Sequence, residues 1–192
     1  MHHFTITLEG TAPLLMHSAR LSDPLDPATK ALKEITSKLK KTDDDIAEQA
    51  RREFIGGLYW DDEIGPYLPS DNIFRSLVDA AKKYRRGKKL TEGIVFETDV
   101  NPLAYNGPRT ISGLWEDKNF VHRASVKVQT SRVMRTRPMF RDWAADATAV
   151  YDPNVIDLAE IKQIAETAGS LIGIGDWRPR FGRFVATIQE TK

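Results

Sequence analysis

Residues 157–188, DLAEIKQIAETAGSLIGIGDWRPRFGRFVATI, read as a helix, a glycine- and arginine-rich loop and a strand. Asp157 is a preferred N-cap residue. Leu158, Ile161, Ile164 and Ala165 then fall on one helical face. Gly169 is the expected residue just past the helix end. The closing run Phe184-Val185-Ala186-Thr187-Ile188 reads as a strand. Between helix and strand, glycine allows left-handed turns and a close approach to another molecule. Arg178, Arg180 and Arg183 with Trp177 suit a phosphate chain and stacked bases. The alternative is a tight turn that only delivers the chain to its last strand.

Working outward, residues 4–9 alternate apolar and polar side chains, as a half-buried strand does. Asp26 before Pro27 opens a helix carrying Leu32, Ile35 and Leu39. Thr42 caps a second helix whose first turn is Asp43-Asp44-Asp45 and which ends at Gly56-Gly57. These two charged helices predict a lobe, residues 20–66, inserted within a single domain of residues 1–192. A short hairpin spans an acidic turn, Asp61-Asp62-Glu63. Ser70 is read as the cap of a third helix with Ile73, Leu77, Val78 and Ala81 on its apolar stripe. Residues 93–100 read as a strand and 101–119 as loop or a loose hairpin. Residues 121–137 read as one long strand or a bent pair, and 143–151 as the next strand. The order strand, helical insertion, helix, strand, strand, helix, strand predicts an α+β fold. It is the split βαβ, ferredoxin-like pattern: an antiparallel sheet with helices on one face and the other face free, as in RNA-recognition modules.

Charge is unevenly distributed. The net charge is only +1. Yet residues 82–89 (KKYRRGKK) hold six basic groups and no acidic one, and residues 118–141 hold seven and none. A near-neutral chain can thus present a strongly positive face. In residues 121–137 the odd positions Arg123, Lys127, Gln129, Arg135 and Arg137 are expected on one strand face, with Ala124, Val126, Val128 and Met134 opposite. The chain has no cysteine, which excludes a disulfide framework and a thiolate metal site. No apolar run is long enough for a membrane span. These features fit a cytoplasmic protein.

Three stretches carry a family resemblance. TITLEGTAPLLMH (residues 5–17), YLPSDNIFRSL (67–77) and residues 172–184 resemble, in order, the first strand, first-helix entry and C-terminal glycine-rich loop of the RAMP superfamily, the repeat-associated proteins of CRISPR effector complexes. More loosely, the chain resembles proteins encoded by bacteriophages. The second stretch lacks the family's glycines, and the third carries the bulky Trp177. The resemblance implies an RRM-like core, a helical thumb, binding along an RNA backbone and, in several relatives, polymerisation on RNA.

The expected function is therefore non-catalytic binding of single-stranded nucleic acid, RNA favoured over DNA, without cofactor or metal. The expected contacts are Lys82, Lys83, Arg85, Arg86, Lys88, Lys89, Arg123, Lys127, Gln129, Arg135, Arg137, Trp177, Arg178, Arg180 and Arg183, on a homo-oligomer or filament along the strand. One alternative is a metal-dependent endoribonuclease using Asp23, Asp26 or His17; as a cap and a turn residue, Asp26 and Asp23 also have structural readings. The other is a protein-interaction module, a viral decoy working through the acidic segment 42–63.

Overall fold

A computed structural model describes residues 1–191, the side chain of Val128 excepted. In chain order the elements are β1 (His2–Gly10), β2 (Leu14–Leu15), α1 (Pro27–Thr36), α2 (Asp43–Gly57), β3 (Trp60–Asp61), β4 (Gly65–Pro69), α3 (Ser70–Lys83), α4 (Gly87–Gly93), β5 (Ile94–Phe96), β6 (Val100–Ala104), α5 (Ile111–Glu116), β7 (Val121–Val128), β8 (Ser131–Phe140), β9 (Ala144–Tyr151), α6 (Leu158–Thr167) and β10 (Phe184–Thr191). The fold is α+β with mostly antiparallel sheets. It divides into two compact units, one of residues 1–14, 60–106 and 141–192, the other of residues 15–59 and 107–140. The expected lobe of residues 20–66 is thus drawn differently. Residues 60–66 belong to the first unit, and α1 and α2 share the second with the β7–β8 hairpin.

In the first unit, strands run in the order β10-β1-β9-β6-β4-β3, with β5 also pairing with β9. Register aligns Phe4, Ile6 and Leu8 with Ala149, Ala147 and Ala145 on one side and with Glu190, Ile188 and Ala186 on the other. The alternation of β1 and β9 therefore adds up to one apolar face. The small alanines leave room above it for the buried stripes of α3 (Ile73, Leu77, Ala80, Ala81) and α6 (Ile161, Ile164, Ala165). The helices α3 and α6 pack on each other, and α6 packs on β10. Thr5, Thr7, Glu9, Asp146, Thr148, Val185, Thr187 and Gln189 form the opposite face, where Thr7 Oγ1 donates to Asp146 at 2.6 Å.

Helix ends follow the sequence signals in part. Asp157 and Glu160 form a capping box on α6, and Thr42 with Asp45 forms another on α2. Pro69, not Ser70, occupies the N-cap of α3. Ser70 is buried instead and bonds Thr98 and Asn101. Leu39 lies beyond α1 and is fully exposed. The segment expected as loop or a loose hairpin contains most of β6, which pairs with β4 and β9, and α5. Gly169 does not end α6: the chain continues as a π-turn, Ala168–Ile172, and stops at Gly173, with φ +72°. Gly169 serves close packing, because a Cβ there would sit 2.1 Å from the Phe184 carbonyl oxygen.

In the second unit, β8 lies between β2 and β7. Met16 N–H donates to Pro138 O at 3.0 Å, and α1 and α2 pack on each other and α2 on β8. Phe54 meets Trp115, and Phe120 meets Phe140, with ring centres 5.4 and 5.6 Å apart.

Candidate nucleic-acid interface

The basic run of residues 121–137 is a hairpin, not one strand. Val128 pairs with Ser131, so only Gln129 and Thr130 make the connection, and Gln129 takes φ +53°. A two-residue link inverts parity: Arg123 pairs with Thr136, Ser125 with Met134 and Lys127 with Arg132. Paired residues share a face. The odd-position face is therefore corrected. Arg123, Ser125 and Lys127 lie with Arg132, Met134 and Thr136, whereas Arg135 and Arg137 lie opposite, with His122 and Ala124. Gln129 sits in the turn.

The hairpin also belongs to a different sheet from the one expected to carry the charges. The seven strands of the first unit contain no lysine or arginine at all. The cations Arg123, Lys127 and Arg132 are exposed, and none has an ion-pair partner among the described residues. Lys127 and Arg132 stand directly opposite each other, an arrangement that destabilises a sheet by roughly 0.2–1 kcal/mol.

The free edge of β8 beyond the short β2 is closed by a side chain. Glu53 of α2 is 6% exposed and accepts from Thr136 N–H at 2.9 Å, Arg135 Nη1 at 2.8 Å and Gln49 Nε2 at 3.1 Å. Three donors satisfy a carboxylate that burial would otherwise penalise. Two clefts flank this anchor. One, of about 370 Å³, is lined by Lys41, Ile46, Ala50, Glu53, Arg123, Val133, Met134 and Arg135 among others. The second, of about 340 Å³, includes His17, Leu32, Glu53, Arg135 and Arg137.

In the first unit the other two basic stretches are brought together, and much of their charge is answered. Asp79 of α3 receives Arg178 at 3.1 Å, Arg75 at 3.0 Å and Lys82 at 2.9 Å. Its partial burial works to raise its pKa, but the bonds and charges of Lys82 and Arg75 outweigh that and hold it below the usual range. Glu160 pairs with Lys89 and Arg86, and Lys88 pairs with Glu92. Lys83 and Arg85 remain exposed without an ion pair among the described residues.

The glycine-rich loop closes on its own chain. Ile174 N–H donates to Gly182 O and Gly182 N–H to Pro13 O, both at 2.8 Å. At Gly182, φ is +68° and a Cβ would fall 1.8 Å from Ile174 O. Ser76 Oγ donates to Gly173 O at 2.8 Å. Trp177 is half-buried beside Phe181, Arg183 Nε donates to Pro179 O, and Arg180 and Arg183 are exposed.

Two of the catalytic alternatives, Asp26 and Asp23, occupy structural positions. Asp26 caps α1 through Ala28 N–H at 2.7 Å and pairs with Arg20. Desolvation pushes its pKa up, but the Arg20 and Ala28 bonds prevail and lower it. Asp23 accepts from Leu25 N–H at 2.9 Å. His17 is exposed at the second cleft. Among the described residues, no three His, Cys, Asp or Glu side chains are grouped to hold a metal ion. The acidic segment 42–63 divides between the units: α2 lies in the second and Asp61 to Glu63 in the first.

Glu53, Lys41, Ile46, Met134 and Arg132 were not singled out from the sequence. A strong turn dipeptide would have exposed the inverted parity, but Gln129-Thr130 is not one. No helix among the described residues is long and apolar enough to cross a membrane. No family model and no curated protein matches the chain.

Proposed function

We propose that the chain binds single-stranded nucleic acid, RNA in preference to DNA, without catalysing a reaction, and that the β7–β8 hairpin is its principal grip. One observation carries the reading: Arg123, Lys127 and Arg132 share one face without a carboxylate partner, inside a stretch that contains no acidic residue. Such a face attracts a polyanion and releases its counterions on binding. Lys83, Arg85, Arg180 and Arg183 are secondary phosphate contacts in the first unit. The strand order β10-β1-β9-β6, with α3 and α6 as the two connecting helices, supports a ferredoxin-like core of RAMP type. That likeness in turn supports a cytoplasmic role and assembly of several copies along one strand.

The test is fluorescence anisotropy with labelled oligo(U) and oligo(dT) across a salt series. Removing three phosphate contacts in Arg123→Ala/Lys127→Ala/Arg132→Ala should flatten the log–log salt slope by about 2 and weaken binding ~100-fold at 0.1 M salt. Equal affinity of variant and wild type refutes the assignment. Cleavage of labelled RNA, with or without Mg²⁺, would replace it with the ribonuclease alternative.

A further inference from the structure

We propose that the cleft between α2 and β8 seats one unstacked nucleobase of the bound strand, with its flanking phosphates on Arg123 and Lys41. The inference rests on the nucleic-acid reading above and gives that surface a defined subsite.

Ile46 and Met134 are 42% and 46% exposed, so folding leaves two large apolar side chains in water. Both line the same cleft, together with Ala50 and Val133. Ile46 and Met134 thus both turn exposed apolar surface toward one cleft. The cleft's size, about 370 Å³, falls in the roughly 300–1,000 Å³ range of small-ligand sites. A methionine thioether is polarisable and packs well on aromatic rings. Stacking on such a wall asks nothing of base identity, which suits a binder without sequence preference.

The rim supplies the charge. Lys41, Arg123 and Arg135 line the cleft against one carboxylate, Glu53, which its three donors already satisfy. Glu53 holds Arg135 through one of that side chain's five N–H donors. That bond tethers the guanidinium beside the cleft. Arg123 belongs both to this rim and to the face bearing Lys127 and Arg132, so a strand leaving the cleft continues onto that face. An acidic amphipathic helix would meet the same charges. It needs apolar anchors over two turns at i, i+3, i+4 and i+7. Here the apolar residues line one short cleft, and Val133 and Met134, successive in β8, point to opposite sides of the strand.

The experiment compares oligo(dT) with an oligomer of equal length in which every base is replaced by an abasic tetrahydrofuran spacer. Wild-type protein should bind the abasic strand about 2- to 10-fold more weakly, the range a methionine–ring contact supports. Met134→Ala and Ile46→Ala should each weaken binding of oligo(dT), leave its salt slope unchanged, and leave the abasic strand unaffected. Met134→Gln, which keeps the side chain's length, should lose affinity in the same way. Equal wild-type affinity for both strands overturns the base seat while the cationic grip stands. Failure of both strands to bind overturns the grip and the seat together. Displacement of oligo(dT) by an acidic amphipathic peptide, abolished by Met134→Ala, would assign the cleft to a protein partner instead.

Discussion

The seven-stranded sheet of the first unit and the β7–β8 hairpin of the second are built from the same antiparallel geometry and present opposite surfaces. The sheet contains no lysine or arginine, and Thr7 hydrogen-bonds Asp146 on its open face. The hairpin brings Arg123, Lys127 and Arg132 together and tolerates two like charges across one strand pair. The difference teaches that the sheet does not carry the charge merely by leaving one face open. Charge concentrates on an insertion, and mutations on the hairpin should change binding where mutations on the sheet do not.

The largest expected effect is at the junction of α2 and β8. Replacing Glu53 with Ala leaves the buried Thr136 N–H without its acceptor and frees the partly exposed Arg135, and chemical denaturation should show a loss of about 1–3 kcal/mol. A loss below about 0.5 kcal/mol would mean that the anchor does not hold the hairpin. Next comes Lys127→Glu, which converts a repelling pair into an attracting one. It should stabilise the hairpin by roughly 0.2–1 kcal/mol while weakening oligonucleotide binding more than tenfold. A variant both stabler and tighter-binding would break the comparison. Thr148→Lys/Thr187→Lys, on the exposed sheet face, should change affinity by less than about threefold, since the proposed grip lies on the hairpin.

The smallest effect is a titration inside the first unit. Glu190 is held below its usual value of 4.5, first by the Tyr151 hydroxyl at 2.7 Å and then by His2. Its stabilising contribution is therefore present above pH 4.5 and lost as pH falls through the lowered value. Tyr151→Phe should move the Glu190 carboxyl upward in an NMR titration. Conversely, the bond to Glu190 raises Tyr151 from 10 to about 12, so that contribution is present below pH 10 and fades as pH climbs through 12. Glu190→Gln should return the tyrosine toward 10 in an ultraviolet titration. No movement in either group would place the pair apart in solution.

Local order was legible in the sequence where one chemical signal sufficed. Asp26, Thr42 and Asp157 cap their helices as their side chains dictate. The apolar alternation of residues 4–9 became a central strand. Pairing was less legible. Alternation within residues 121–137 could not reveal a two-residue turn at Gln129-Thr130, so odd positions on both sides of it were placed on one face. The glycine-rich loop shows the same limit. Gly169, Gly173 and Gly182 meet the packing demands of Phe184, Phe181 and Ile174, partners distant enough in the chain that no local pattern announces them. The site itself was half visible: its cations stand out in the sequence, but the buried Glu53 that orients Arg135 lies 82 residues away.

Ultraviolet cross-linking of the intact protein to labelled oligo(U), followed by mass spectrometry of the modified peptides, asks most directly which surface touches the strand. Cross-links concentrated in residues 118–141 and on α2, and lost at high salt, are the predicted result. Cross-links confined to β1, β9 and β10, with the hairpin unmodified, would contradict the account.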